Sequence, residues 1–131
     1  MINKKNIILF LLLITFALPV NANIVTCEEA HEKGTPFVVY YYTSTCSTCK
    51  KFNPIFNKTV SNLNKYNFVK MDVTDMAEHK LCYAASLQYV PSIYVYYPKL
   101  KKMGKVNYNY YFNQKYFEYA LSTYLKNSDI E

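Results

Sequence analysis

Residues 37–51 read Phe37-Val38-Val39-Tyr40-Tyr41-Tyr42-Thr43-Ser44-Thr45-Cys46-Ser47-Thr48-Cys49-Lys50-Lys51. The first six are apolar, β-branched or aromatic without a break, which is the composition of a strand buried on both faces. Thr43-Ser44-Thr45 is a polar turn whose hydroxyls suit a helix start. Beyond it Phe52, Ile55, Phe56, Val60 and Leu63 recur at helical spacing. The stretch therefore predicts a central strand running straight into a helix that begins near Cys46. Two cysteines three residues apart then share the first helical turn, close enough to bridge. Pro54 falls inside the helical pattern, removes one backbone hydrogen bond and predicts a kink.

Elements of both kinds follow on either side. Thr26-Cys27-Glu28-Glu29 has the form of a capping box and predicts a short helix to about residue 33, broken by Gly34 and Pro36. Residues 68–72 read as the next strand, and Thr74 or Asp75 can cap a helix through about Leu87. Residues 93–97 are another strand, joined by a basic turn around Lys101, Lys102 and Gly104 to a last one at about residues 105–111. That short connection predicts an antiparallel hairpin. Asn113 can cap a terminal helix whose apolar face is Tyr116, Phe117, Ala120, Leu121, Tyr124 and Leu125. The pattern is a single α/β domain without internal repeats.

The chain has 131 residues and 51% hydrophobic content, enough for one packed core. Its first 22 residues have the form of a secretory signal peptide. Lys4 and Lys5 form a basic start, residues 7–20 an apolar run, and Val20-Asn21-Ala22 a cleavage site. Residues 1–22 are accordingly expected to be removed, leaving a domain over residues 23–131 that is exported to a periplasmic or extracellular space. The run falls short of the roughly 20 apolar residues that span a bilayer, so no membrane span is expected after cleavage. No twin-arginine pair precedes it, and no lipobox precedes Cys27.

Without Lys4 and Lys5 the formal charge falls from +6 to +4, since 13 Lys face 9 acidic residues. The chain has no Arg, the usual bidentate reader of guanine and phosphate, which argues against nucleic acid as a partner.

The chemistry sits at the predicted strand-to-helix junction. Cys46 faces the free amides and positive dipole end of the helix, which stabilise a thiolate, so Cys46 is the candidate nucleophile. Lys50 and Lys51 add positive charge nearby. Two other readings of the pair stand beside this one. His79-x-x-Cys82 could complete a zinc site with Cys46 and Cys49, or Cys46 and Cys49 could form a purely structural bridge. We expect no metal.

Together, residues 37–51 with Pro54, the strand Phe68-Val69-Lys70-Met71-Asp72, and Val90-Pro91-Ser92 before a further strand resemble thioredoxin over nearly all of the chain after residue 22. Each piece alone is common. The order is more specific: Cys-x-x-Cys-Lys, a proline five residues after the second Cys, and Val-Pro about forty residues later. The spacing leaves no room for the large helical insertion of periplasmic disulfide-introducing enzymes, so the bare thioredoxin domain is the nearer match.

The resemblance implies a thioredoxin-like α/β fold, with a central mixed β-sheet flanked by helices on both faces. It implies a thiol–disulfide oxidoreductase in which Cys46 attacks and Cys49 resolves. No dissociable cofactor is required. The implied partners are protein thiols and disulfides and an oxidoreductase that donates or accepts electrons, and the expected state is a monomer. Pro91 is implied to be cis, with Val90 and Pro91 forming a shelf on which a substrate strand pairs.

Three departures stand out. Thr45 replaces the family's Trp, Ser47-Thr48 its Gly-Pro, and Tyr40 its buried acid, so Tyr40 or Lys70 is expected to assist Cys49 through water. Cys27 and Cys82 are implied to lie on helices over the same sheet face. A structural disulfide between them and a buried, unbridged Cys82 both remain open. The alternative function is a thioredoxin-fold binding or chaperone module whose cysteines stay bridged.

Overall fold

The computed structural model describes residues 23–127, so the expected signal peptide over residues 1–22 lies outside the described residues. Helix α1 (Cys27–Lys33) starts at Thr26, whose hydroxyl accepts from the Glu29 amide at 3.1 Å. It stops at Gly34, whose φ of 69° is left-handed and strained for other residues. Strand β1 (Phe37–Tyr42) leads into α2 (Ser47–Asn62), which carries Pro54 within it. Then come β2 (Asn67–Asp72), β3 (Ser92–Tyr97), β4 (Lys102–Lys105) and α3 (Gln114–Asn127).

The sheet order is β2-β1-β3-β4. β1 runs parallel to β2 and antiparallel to β3, and β3 and β4 form the expected antiparallel hairpin. The unbroken apolar run thus occupies an interior strand, and residues 37–41 are fully buried. Successive side chains on a strand point to opposite faces, which divides the core in two. Val38 and Tyr40 join Phe52, Phe56, Val60, Phe117, Leu121 and Leu125 under α2 and α3. Val39 and Tyr41 join Cys27, Ala30, Val69, Met71 and Cys82 on the other face. Phe52 packs edge-on against Tyr40 and Phe117, with centroids 5.2 and 5.1 Å away. Each such contact contributes about 1 kcal/mol beyond area burial.

Two expected elements differ from the expectation: one is absent and one is displaced. Residues 74–87 do not form a helix; two short 3-10 turns, Met76–Glu78 and Lys80–Cys82, stand there. An α-helix would need the carbonyls of Leu81 and Cys82 for amides four residues on. Side chains hold them instead: His31 Nε2 donates to the Leu81 carbonyl at 3.1 Å and the Tyr41 hydroxyl to that of Cys82 at 2.6 Å.

The last strand ends at Lys105 rather than near residue 111, and a 3-10 turn, Tyr108–Tyr110, follows. Tyr111 explains the change. Its hydroxyl accepts from the Ile93 amide at 2.6 Å and donates to the Val106 carbonyl at 3.2 Å, while Val106 N–H reaches the Ile93 carbonyl at 2.9 Å. The phenol occupies the place of the return bond of the ladder, and the chain leaves the sheet. Asn113 does cap α3, accepting from the Tyr116 amide at 3.1 Å.

Candidate active site

Cys46 is the N-cap of α2, with extended backbone (φ −80°, ψ 111°), and its Sγ accepts from the Cys49 amide at 3.0 Å. That amide is one of the first-turn donors a helix cannot satisfy internally. Because no acid lies in the first turn, its positive field is not opposed by a neighbouring carboxylate. Cys46 is half-buried, whereas Cys49 is 1% exposed. Their Cα atoms are 5.2 Å apart and the sulfurs are paired. A substrate sulfur can therefore approach Cys46 while Cys49 stays beneath. Lys50 and Lys51 are exposed at the same helix start.

The peptide bond between Val90 and Pro91 is cis, and the Val90 carbonyl oxygen lies 3.8 Å from Cys46 Sγ. Ser92 braces the turn by donating its hydroxyl to the Tyr89 carbonyl at 2.6 Å. The structure thus brings Cys46 and Cys49, at the start of α2, together with Val90 and Pro91 from the loop before β3.

Tyr40 reaches the same place from β1. Its hydroxyl donates to Asn53 Oδ1 at 2.8 Å and lies 3.3 Å from the Cys49 carbonyl oxygen. Burial pushes this phenol well above its usual range, so it stays protonated. Lys70 pairs with Tyr40 in the β1–β2 register, but its ammonium sits over the Tyr42 ring, 5.1 Å from the centroid, and the residue is exposed. Asn53 escaped the sequence reading. It lies one helical turn after Cys49, on the same side of α2, and that spacing was the available clue.

Cys27 and Cys82 form a disulfide on the opposite sheet face, with Cα atoms 6.2 Å apart and exposures of only 2% and 0%. The zinc grouping of Cys46, Cys49, His79 and Cys82 is not assembled, because Cys82 is bonded to Cys27 and His79 Nδ1 meets Glu28 at 2.9 Å. Ligand atoms of Cys27, His31 and Cys82 do gather within 4.8 Å, but two of the three are the bonded sulfurs. Among the described residues, no helix is long and apolar enough to cross a membrane.

An open sulfur on a helix N-terminus, paired with a buried one in the same turn, is built to make and break disulfides, and with this fold it defines a thiol–disulfide oxidoreductase. The thioredoxin family profile matches residues 24–111, and the chain belongs to the thioredoxin family. No curated protein sequence matches it.

Among solved structures, the J-Trx1 fragment of ERdj5 superposes with a TM-score of 0.68 at 15% identity, over 85% of this chain and 54% of the fragment. The chain therefore spans about half the length of that fragment. The Trx4 domain of ERdj5 gives 0.59 at 23% identity, over 83% of this chain and 99% of the domain. Thioredoxin from Trypanosoma brucei brucei gives 0.56 at 16%, over 84% and 96%. At these identities the likeness speaks for the fold.

Proposed function

We propose that the chain is an exported thiol–disulfide oxidoreductase acting on exported protein substrates, with Cys46 as nucleophile and Cys49 as resolving thiol. The observation that carries this reading is the 3.0 Å bond from the Cys49 amide to the half-buried Cys46 sulfur, beside a fully buried partner. In the reducing direction the Cys46 thiolate attacks one sulfur of a substrate disulfide. The S–S bond breaks, a mixed disulfide forms, and the leaving sulfur departs as thiolate and takes a proton. Cys49 then loses its proton and attacks Cys46 Sγ. The second substrate thiol leaves, and the Cys46–Cys49 pair is left oxidised, as in this structure. Oxidation of a dithiol substrate is the same path reversed.

Val90 and Pro91 form the substrate shelf, where an extended strand pairs with the backbone next to Cys46. Tyr40 supports Cys49 as a neutral donor through the Cys49 carbonyl and Asn53. Lys70, directed over Tyr42, is the weaker candidate for that role. The partners are protein thiols and disulfides, with a second oxidoreductase supplying or removing electrons, and the chain works as a monomer. Export rests on the basic start, apolar run and cleavage site in residues 1–22.

Exchange assays with insulin and glutathione test the assignment. Cys46→Ser abolishes exchange, and Cys49→Ser accumulates mixed disulfides with substrate; normal turnover in either variant defeats it. N-terminal sequencing of the secreted protein checks cleavage after Ala22. The reduction potential of the pair sets the direction, a reductant lying near roughly −270 mV and an oxidant near roughly −120 mV.

A further inference from the structure

We propose that Tyr89 and Tyr108 form a side-chain pocket beside the reactive sulfur that selects protein substrates with an aromatic residue adjacent to the reacting cysteine. The proposal rests on the oxidoreductase reading above and names its substrate class. Tyr89 directly precedes Val90, and Tyr108 comes from the 3-10 turn after β4. Their rings stand at 89° to one another with centroids 5.7 Å apart. They and Val90 line an open depression of about 360 Å³. Val90 is also the residue whose carbonyl oxygen lies 3.8 Å from Cys46 Sγ, so pocket and sulfur are separated by one residue.

The pocket is preformed. Lys105 Nζ lies over the Tyr89 ring, 4.0 Å from its centroid, which fixes that ring by a cation–π contact. Tyr108 packs on buried Tyr111 at 5.0 Å and on Phe112 at 5.7 Å. Even so, Tyr89 is 40% exposed, Tyr108 36% and Phe112 44%. Three large rings clustered in solvent next to a reactive group mark a binding surface rather than scattered surface residues.

The geometry identifies the occupant. A substrate strand on the Val90 backbone advances about 3.3 Å per residue, so a residue neighbouring its cysteine passes the depression. Two rings at right angles present a face and an edge. An incoming ring can lay its own face on one and its edge to the other, the arrangement aromatic quadrupoles favour. An aliphatic side chain fills the space without that complement.

The test uses the full protein, with excess reduced glutathione supplying the electrons that recycle the Cys46–Cys49 pair, and short Gly-Ser peptides bearing one glutathionylated cysteine, flanked by Phe or by Ala. The wild-type protein should show kcat/KM about fivefold higher for the Phe peptide. Tyr108→Ala should bring the ratio close to one, and Tyr108→Phe should restore it. Tyr119→Ala, at an exposed position on α3 outside the depression, should leave the ratio as in wild type. Equal rates for the two peptides in the wild-type protein, or an undiminished ratio in Tyr108→Ala, overturn the pocket. Absence of any exchange with oxidised glutathione would instead remove the oxidoreductase reading. The pocket is then read from fluorescence anisotropy of the two peptides, where equal affinity overturns it.

Discussion

The Tyr40 hydroxyl donates to Asn53 Oδ1 at 2.8 Å, tying the central strand to the helix that carries both site cysteines. Its oxygen is also 3.3 Å from the Cys49 carbonyl, so the link closes beside the buried sulfur. Because burial holds the phenol protonated, it acts as a donor and not as a base. Tyr40→Phe removes this donor. The variant should resolve mixed disulfides more slowly, with the apparent pKa of Cys49 raised, and lose about 1 kcal/mol of stability. Rapid-mixing kinetics across pH checks this; an unchanged profile would sink the role of Tyr40.

Tyr111→Phe leaves the Ile93 amide, buried and now without its acceptor, facing a ring edge. An unsatisfied buried donor costs about 1–3 kcal/mol. Urea unfolding should show a loss in that range at unchanged slope. A loss below about 0.5 kcal/mol would mean that the β3–β4 ladder closes on its own after the hydroxyl is removed.

Joint replacement of Cys27 and Cys82 by Ala should destabilise the domain strongly, because the bond closes a loop with a sequence separation of 55. Loop closure of that size corresponds to about 4 kcal/mol. Exchange at Cys46–Cys49, measured at a temperature where the variant is folded, should be unaffected. Lost exchange in a folded variant would assign the second disulfide a part in the chemistry.

The ion pair of Glu28 and His79 predicts a window of pH. The hydrogen bond to His79 lowers the Glu28 pKa below its usual 4.5, and the bond to Glu28 raises that of His79 above its usual 6.5. The Glu28 contribution is present above 4.5 and is lost as pH falls through its lowered value. The His79 contribution is present below 6.5 and is lost as pH rises through its raised value. The Tm difference between wild type and His79→Ala should therefore peak between pH 4.5 and 6.5 and shrink on both sides. Both groups are exposed, so the difference is small and salt-sensitive; a difference flat in pH would exclude the pair as its source.

What the sequence made legible was governed by local physics. The run from Phe37 to Tyr42 is interior because no polar residue interrupts it, and the turn chemistry before Cys46 starts α2 where the hydroxyl residues end. The failures share a cause. Residues 74–87 carry helix-forming side chains, yet His31 and Tyr41, more than forty positions away, take the carbonyls the helix would need. Residues 105–111 have the aromatic content of a strand, but Tyr111 folds inward and replaces a ladder bond with its own hydroxyl. Such tertiary bonds have no local signature. The pairing of Tyr89 with Tyr108 is hidden likewise, since the two lie on separate loops that meet only in the folded chain.

The two sulfur pairs differ most in what can reach them. Cys46 opens to solvent at the end of α2, whereas Cys27 and Cys82 are sealed beneath the opposite face of the sheet. Thiol exchange requires in-line approach to a sulfur, so accessibility filters the attack. A thiol reagent that cycles the first pair indefinitely should leave the second intact until the domain unfolds. The molecule thus separates its replaceable electrons from its permanent crosslink by position alone, although both reside in the same kind of bond.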